Sequence, residues 1–64
     1  MNKVRQLRED RLLTQDMLAR KAGIATRTLW AIEKGRPCHM TTKRKLLYAL
    51  KIDFTKWFEV FPRD

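Results

Sequence analysis

Fifteen lysines and arginines stand against seven carboxylates in this chain of 64 residues, a formal net charge of +8. The excess is uneven. Between Lys34 and Ile52 lie Lys34, Arg36, Lys43, Arg44, Lys45 and Lys51, with no acidic residue among them. The chemistry open to such a segment is electrostatic attraction of polyanions. Charge alone would equally serve as a solubilising surface. An anionic membrane fits less well, because the basic residues do not oppose a clean apolar helix face.

Other chemistries lack their residues. Cys38 is the sole cysteine and His39 the sole histidine, so no intrachain disulfide forms and no closed four-ligand metal site can be built. Their adjacency is not by itself a nucleophile–base geometry. There is no glycine-rich phosphate loop and no pair of acids on a plausible cleft. No catalytic residue, metal or cofactor is therefore expected. No stretch approaches the roughly 20 apolar residues of a membrane span, and the segment Met1–Arg5 lacks the apolar block of a secretory signal. With a free thiol, this points to the cytoplasm.

These side chains must be positioned by one small domain, residues 1–64, whose core is modest for its surface. Alternating strand patterns are absent, and helical spacing recurs. Asn2 can cap a first helix running to about Arg11, with Val4 and Leu7 inward. Thr14 is an N-cap for a second helix that turns Leu18 and Ala19 inward and ends at Gly23. Only Ile24 and Ala25 separate it from a third helix, about Thr26 to Lys34, with Leu29 and Ile32 inward and Gly35 closing it. Thr41 or Thr42 then caps a fourth helix packed through Leu46, Leu47 and Leu50. A fifth opens at Asp53, with Phe54, Trp57, Phe58 and Phe61 at i, i+3, i+4 and i+7, and Pro62 ends it. Two short helices joined by a tight glycine turn are a helix-turn-helix, here about residues 14–35.

Leu13-Thr14-Gln15, Leu18-Ala19, Ala22-Gly23-Ile24, Thr28-Leu29 and Ile32-Glu33-Lys34-Gly35 fall in one register. Together they resemble the phage-repressor and Cro type of helix-turn-helix. Leu7-Arg8 with Arg11 and the Ala49-Leu50-Lys51-Ile52 stretch extend the likeness over nearly the whole chain. The resemblance implies an all-α, compact five-helix lambda-repressor-like domain whose second and third helices form the DNA-binding unit. An α-helix fits the major groove, about 12 Å wide, and reaches base edges with its first turns.

The resemblance also implies roles for particular residues. Arg27, in the first turn of the third helix and opposite Leu29 and Ile32, is placed to give guanine two hydrogen bonds. A phosphate contact is its other reading. Thr26 matches a second reading position. Ala25 stands where the family usually has a Ser or Thr cap, so Thr26 could instead shift and cap the helix. Ala31 permits close approach one turn on. Trp30, where a small polar residue is common, is grouped with these base-facing residues. It could also pack on sugar-phosphate, cover the second helix or meet a partner. By resemblance Gln15 contacts phosphate or braces the reading residues; Lys34, Arg36 and Lys43 are read from charge and position as phosphate contacts, Lys43 standing where the family tends to be apolar. Arg8 and Glu33 form an ion pair bracing the first helix against the third.

At the C-terminal end Phe54 and Phe58 are expected to complete the core. Trp57, Val60 and Phe61 are the possible dimer interface, simple core packing being the other reading of this aromatic stripe. The implied partner is double-stranded DNA, bound by a homodimer acting as a repressor of the small phage or mobile-element type. No segment is left over for a ligand-sensing domain, so no small-molecule effector is expected. An antitoxin or protein-interaction module using the aromatic C-terminal helix is the alternative. An architectural DNA-bending factor is weaker, since only Trp30 could act as a wedge.

Overall fold

The computed structural model describes residues 2–62. Among them the order is α1 (Val4–Asp10), α2 (Gln15–Ala22), α3 (Thr26–Glu33), α4 (Met40–Ala49), a 3-10 turn (Phe54–Lys56) and α5 (Trp57–Val60), with no strand. The all-helical expectation holds.

The first two helices begin at side chains that accept a first-turn N–H. Asn2 works at both ends of its side chain: Oδ1 accepts the Val4 N–H at 3.1 Å, and Nδ2 donates to the Ile32 carbonyl at 2.8 Å. Thr14 Oγ1 accepts the Met17 N–H at 3.0 Å, which satisfies one of the free donors opening α2. The α3 cap position is Ala25, extended and without a side-chain bond. Thr26 therefore does not shift into the cap; it is already the first helical residue. At α4 the structure again differs from the sequence expectation. His39, not Thr41 or Thr42, occupies the cap position, and it makes no side-chain cap bond.

The first four helices end by a shared device. Leu12, Gly23, Gly35 and Lys51 all have positive φ, at 57, 72, 105 and 62°. The residue after each donates its N–H to a carbonyl five residues back: Leu13 to Arg8, Ile24 to Ala19, Arg36 to Ala31, Ile52 to Leu47. This closure satisfies a free carbonyl and reverses the chain. Glycine reveals two of the four sites in the sequence. Leu12 and Lys51 take the left-handed conformation at a cost of about 1–2 kcal/mol each, which no residue type announces.

The core is built from Val4, Leu18, Ala19, Leu29, Ile32, Leu46, Leu47 and Leu50, each nearly or wholly buried. Leu7, Leu13 and Ile24 pack against it from the edge. Each buried Leu or Ile contributes about 1.5–3 kcal/mol relative to exposure, so the α2–α3 crossing is locked by apolar packing.

The C-terminal segment corrects the sequence reading most. A single helix from Asp53 would have placed all four rings on one stripe. Instead Asp53 accepts the Thr55 N–H at 3.0 Å and the Thr55 hydroxyl at 2.9 Å, which starts a 3-10 turn. Those bonds hold the Asp53 carboxyl below the usual carboxylate range. A 3-10 turn advances three residues per turn, not 3.6, so the register moves. Val60 and Phe61 are buried, at 4% and 1% exposure, and belong to the core, not to a free interface. Trp57 is half-buried against the core. Phe58, expected inside, is 56% exposed and meets Trp57 edge-on. The Val60 carbonyl accepts the Lys3 N–H at 2.9 Å, which pins this end beside the start of α1.

Candidate nucleic-acid interface

Helix α3 buries Leu29 and Ile32 and turns Thr26, Arg27, Thr28 and Trp30 to solvent, with Ala31 half-buried between. The opposition follows from 3.6 residues per turn. What makes this exposed face a fixed surface is the bracing behind it. Arg8 Nε donates to Glu33 Oε2 at 2.7 Å and Nη2 to Oε1 at 3.2 Å, a two-pronged pair whose side chains are 11% and 4% exposed. Arg8 Nη1 also donates to the Leu13 carbonyl at 2.8 Å. The hydrogen bonds to Glu33 push the guanidinium pKa still higher, against the opposing effect of burial. One arginine thus ties α1, the α1–α2 loop and α3 together. The implied ion pair is present in its structural role.

Gln15 belongs to the same cluster, its Nε2 donating to Glu33 Oε1 at 3.0 Å. Here the bracing alternative describes the geometry: the amide is positioned by Glu33 at the rim of the brace. Thr26 has a partner as well. Its hydroxyl donates to Asp16 Oδ1 at 3.0 Å, while Asp16 Oδ2 accepts from Arg20 Nη2 at 2.8 Å. The first turn of α3 is thereby latched to the first turn of α2. Both bonds are exposed and are worth little in water, so a base edge can compete for the threonine.

Arg27, Lys34 and Arg36 are exposed. Lys34 holds its ammonium 5.3 Å from the centroid of the Trp30 ring. Lys43 does not join this set. It is 4% exposed, and its ammonium lies 5.3 Å from the Trp57 ring centroid and 5.5 Å from that of Phe61. Its position on α4 faces the C-terminal segment, so the long stem packs in the core and the charge rests on aromatic faces. Lys43 is thus a buried packing residue, not the solvent-facing phosphate contact its charge suggests.

Two notches flank α3. One, about 240 Å³, is lined by Arg5, Arg8, Gln15, Trp30, Glu33 and Lys34. The other, about 270 Å³, lies towards the α3–α4 loop and is lined by residues that include Arg27, Ala31, Arg36, His39 and Thr42. Arg5, three residues before Arg8, shares its helix face, a spacing visible in the sequence. Its partner Glu9, at 3.2 Å, is exposed like itself. Cys38 and His39 gather no metal site: among the described residues no group of three His, Cys, Asp or Glu could hold an ion. Nor is any described helix long and apolar enough to cross a membrane.

The family model described as Helix-turn-helix matches residues 4–56. No curated protein and no solved structure matches the chain. The family match spans α1 through the 3-10 turn, and the chain belongs to the helix-turn-helix family of the Cro/C1 type, whose members are DNA-binding transcription regulators.

Proposed function

We propose that this helix-turn-helix protein recognises one duplex DNA sequence as a homodimer and represses transcription by occupying a site that overlaps a promoter, in the manner of small phage or mobile-element regulators. The observation that carries the reading is the buried Arg8–Glu33 pair behind an exposed Thr26–Arg27 face. A helix held rigidly from behind keeps its outer side chains preorganised for base edges. Arg27 reads guanine through O6 and N7, Thr26 and Ala31 shape the neighbouring contacts, and Lys34 and Arg36 hold phosphates, with Gln15 at the rim. A net charge of +8 supplies the long-range attraction.

Selection from a random duplex library at fixed salt, with the native chain beside Arg27→Ala, tests this. The expected result is a palindromic consensus whose preference relaxes at one base per half-site in the variant, by about 1–3 kcal/mol. Uniform weak binding of every sequence by the native chain would overturn it. Phe58, 56% exposed on the C-terminal helix, favours a second reading as a protein-interaction module such as an antitoxin. Stable copurification with a neighbouring-gene product, lost in Phe58→Glu, would support that reading instead.

A further inference from the structure

Trp30 is the largest exposed apolar side chain on α3, at 53% exposure, and it lines a different notch from Arg27 and Ala31. Arg27 and Ala31 line the notch on the loop side of α3. Trp30 lines the other notch, with Arg5, Gln15 and Lys34 around it and the Arg8–Glu33 pair as its floor. The outer face and the flanks of a helix lying in the major groove face different parts of the duplex. Base edges form the floor of the groove, whereas phosphates and sugars form its walls. Arg27, opposite the buried Leu29 and Ile32, faces the floor, while Trp30, about 60° round the helix towards Arg5 and Arg8, meets a wall.

The chemistry of this notch matches a wall. A nucleotide backbone presents an anionic phosphate joined to an apolar, uncharged sugar. The notch presents two exposed cations, Arg5 and Lys34, beside an indole. Lys34 is already held against the ring, so a phosphate that pairs with Lys34 brings its own sugar to the indole. Arg5 is tied only by an exposed i,i+4 pair to Glu9, a contact weak enough for a phosphate to replace. The floor is neutral as a pair, because Glu33 is matched by Arg8 within the protein.

We propose that Trp30 reads no base: with Lys34 and Arg5 it seats one deoxyribose-phosphate unit of the DNA backbone, the indole against the sugar and the cations against the phosphate. This rests on the DNA-binding reading above. The contact fixes how deeply and at what angle α3 enters the groove, and so positions Arg27 without carrying sequence information.

The test uses the full chain and the duplex obtained from selection, with an unrelated duplex of equal length as control. Trp30→Ala is expected to weaken both duplexes by about tenfold, the scale of burying part of an indole. Their ratio, the base preference and the slope of log affinity against log salt stay unchanged. Lys34→Ala reduces that slope by about 0.9. The chain has two tryptophans, so in Trp57→Phe the emission belongs to Trp30 and should become protected from acrylamide on binding. If Trp57→Phe does not fold, the difference between the native chain and Trp30→Phe reports the same ring. A Trp30 that stays fully quenchable in the complex overturns the proposal, as does a Trp30→Ala variant whose preferred sequence changes. If the native chain binds no duplex, the DNA-binding reading falls and this proposal with it, an outcome distinct from bound DNA with an unprotected ring.

Discussion

Arg8 Nε lies 2.7 Å from Glu33 Oε2, and through that contact the first helix holds the last turn of the recognition helix in place. The pair is nearly buried, Glu33 also accepts from Gln15, and Arg8 has only the exposed Glu9, at 3.9 Å, as a second carboxylate. Glu33→Ala is expected to cost about 1.5–3 kcal/mol, the scale of hydrogen bonds to a charged group, because Arg8 keeps the Leu13 carbonyl and the more distant Glu9. Urea denaturation measures it. Replacing both residues by apolar ones, Arg8→Met with Glu33→Leu, should lose much less than the sum of the single changes. Additive losses would show that the two side chains act independently.

The cap position of α3 is occupied by a residue that cannot cap. Ala25 is extended, with φ −70° and ψ 144°, the conformation a capping serine adopts, and it is exposed. Ala25→Ser should therefore stabilise the domain by about 1 kcal/mol, a rise in melting temperature of roughly 4–8 °C for a domain of this size. A thermal melt decides it, and an unchanged midpoint would mean that the first turn is held entirely by the Thr26–Asp16 latch.

Lys43 and Lys34 should separate cleanly. Lys43→Ala removes a buried stem and its contacts with Trp57 and Phe61, so the melting temperature falls. The salt slope of DNA binding by the remaining folded protein is unchanged. Lys34→Ala does the opposite, lowering the slope with little effect on stability. A reduced slope in Lys43→Ala would restore it as a phosphate contact.

Phe58 and Phe61 exchange the roles their spacing suggests. Phe61→Ala should cost about 3–5 kcal/mol as a large core deletion, whereas Phe58→Ala should change monomer stability by no more than about 0.5 kcal/mol. Denaturation at low protein concentration gives both values. If the homodimer forms through this end, Phe58→Glu also lowers the sedimentation coefficient at high concentration, and an unaltered dimer places the interface elsewhere.

Much of this architecture is legible along the chain because it depends on local physics. Thr14 caps α2 because its hydroxyl can reach a nearby N–H, and Gly23 and Gly35 end helices because glycine takes positive φ freely. Leu18, Leu29, Ile32, Leu46 and Leu47 fall inward because helical spacing puts them on one face. The Arg8–Glu33 pair came from family likeness, since nothing within either segment announces a partner 25 residues away.

The sequence by itself determined the helical class, the position of the helix-turn-helix and the excess of positive charge, all properties of composition and of spacing within a few residues. Tertiary structure decided the rest. Whether Lys43 meets solvent or Trp57 depends on how the C-terminal segment folds back onto α4. Which phenylalanine stays outside depends on a 3-10 turn started by Asp53 and Thr55, whose shorter period moves every ring after it. That Trp30 and Arg27, neighbours on one helix, line different notches depends on what packs beside each. These outcomes are set by contacts between distant segments, and a helical period carries no information about its neighbours.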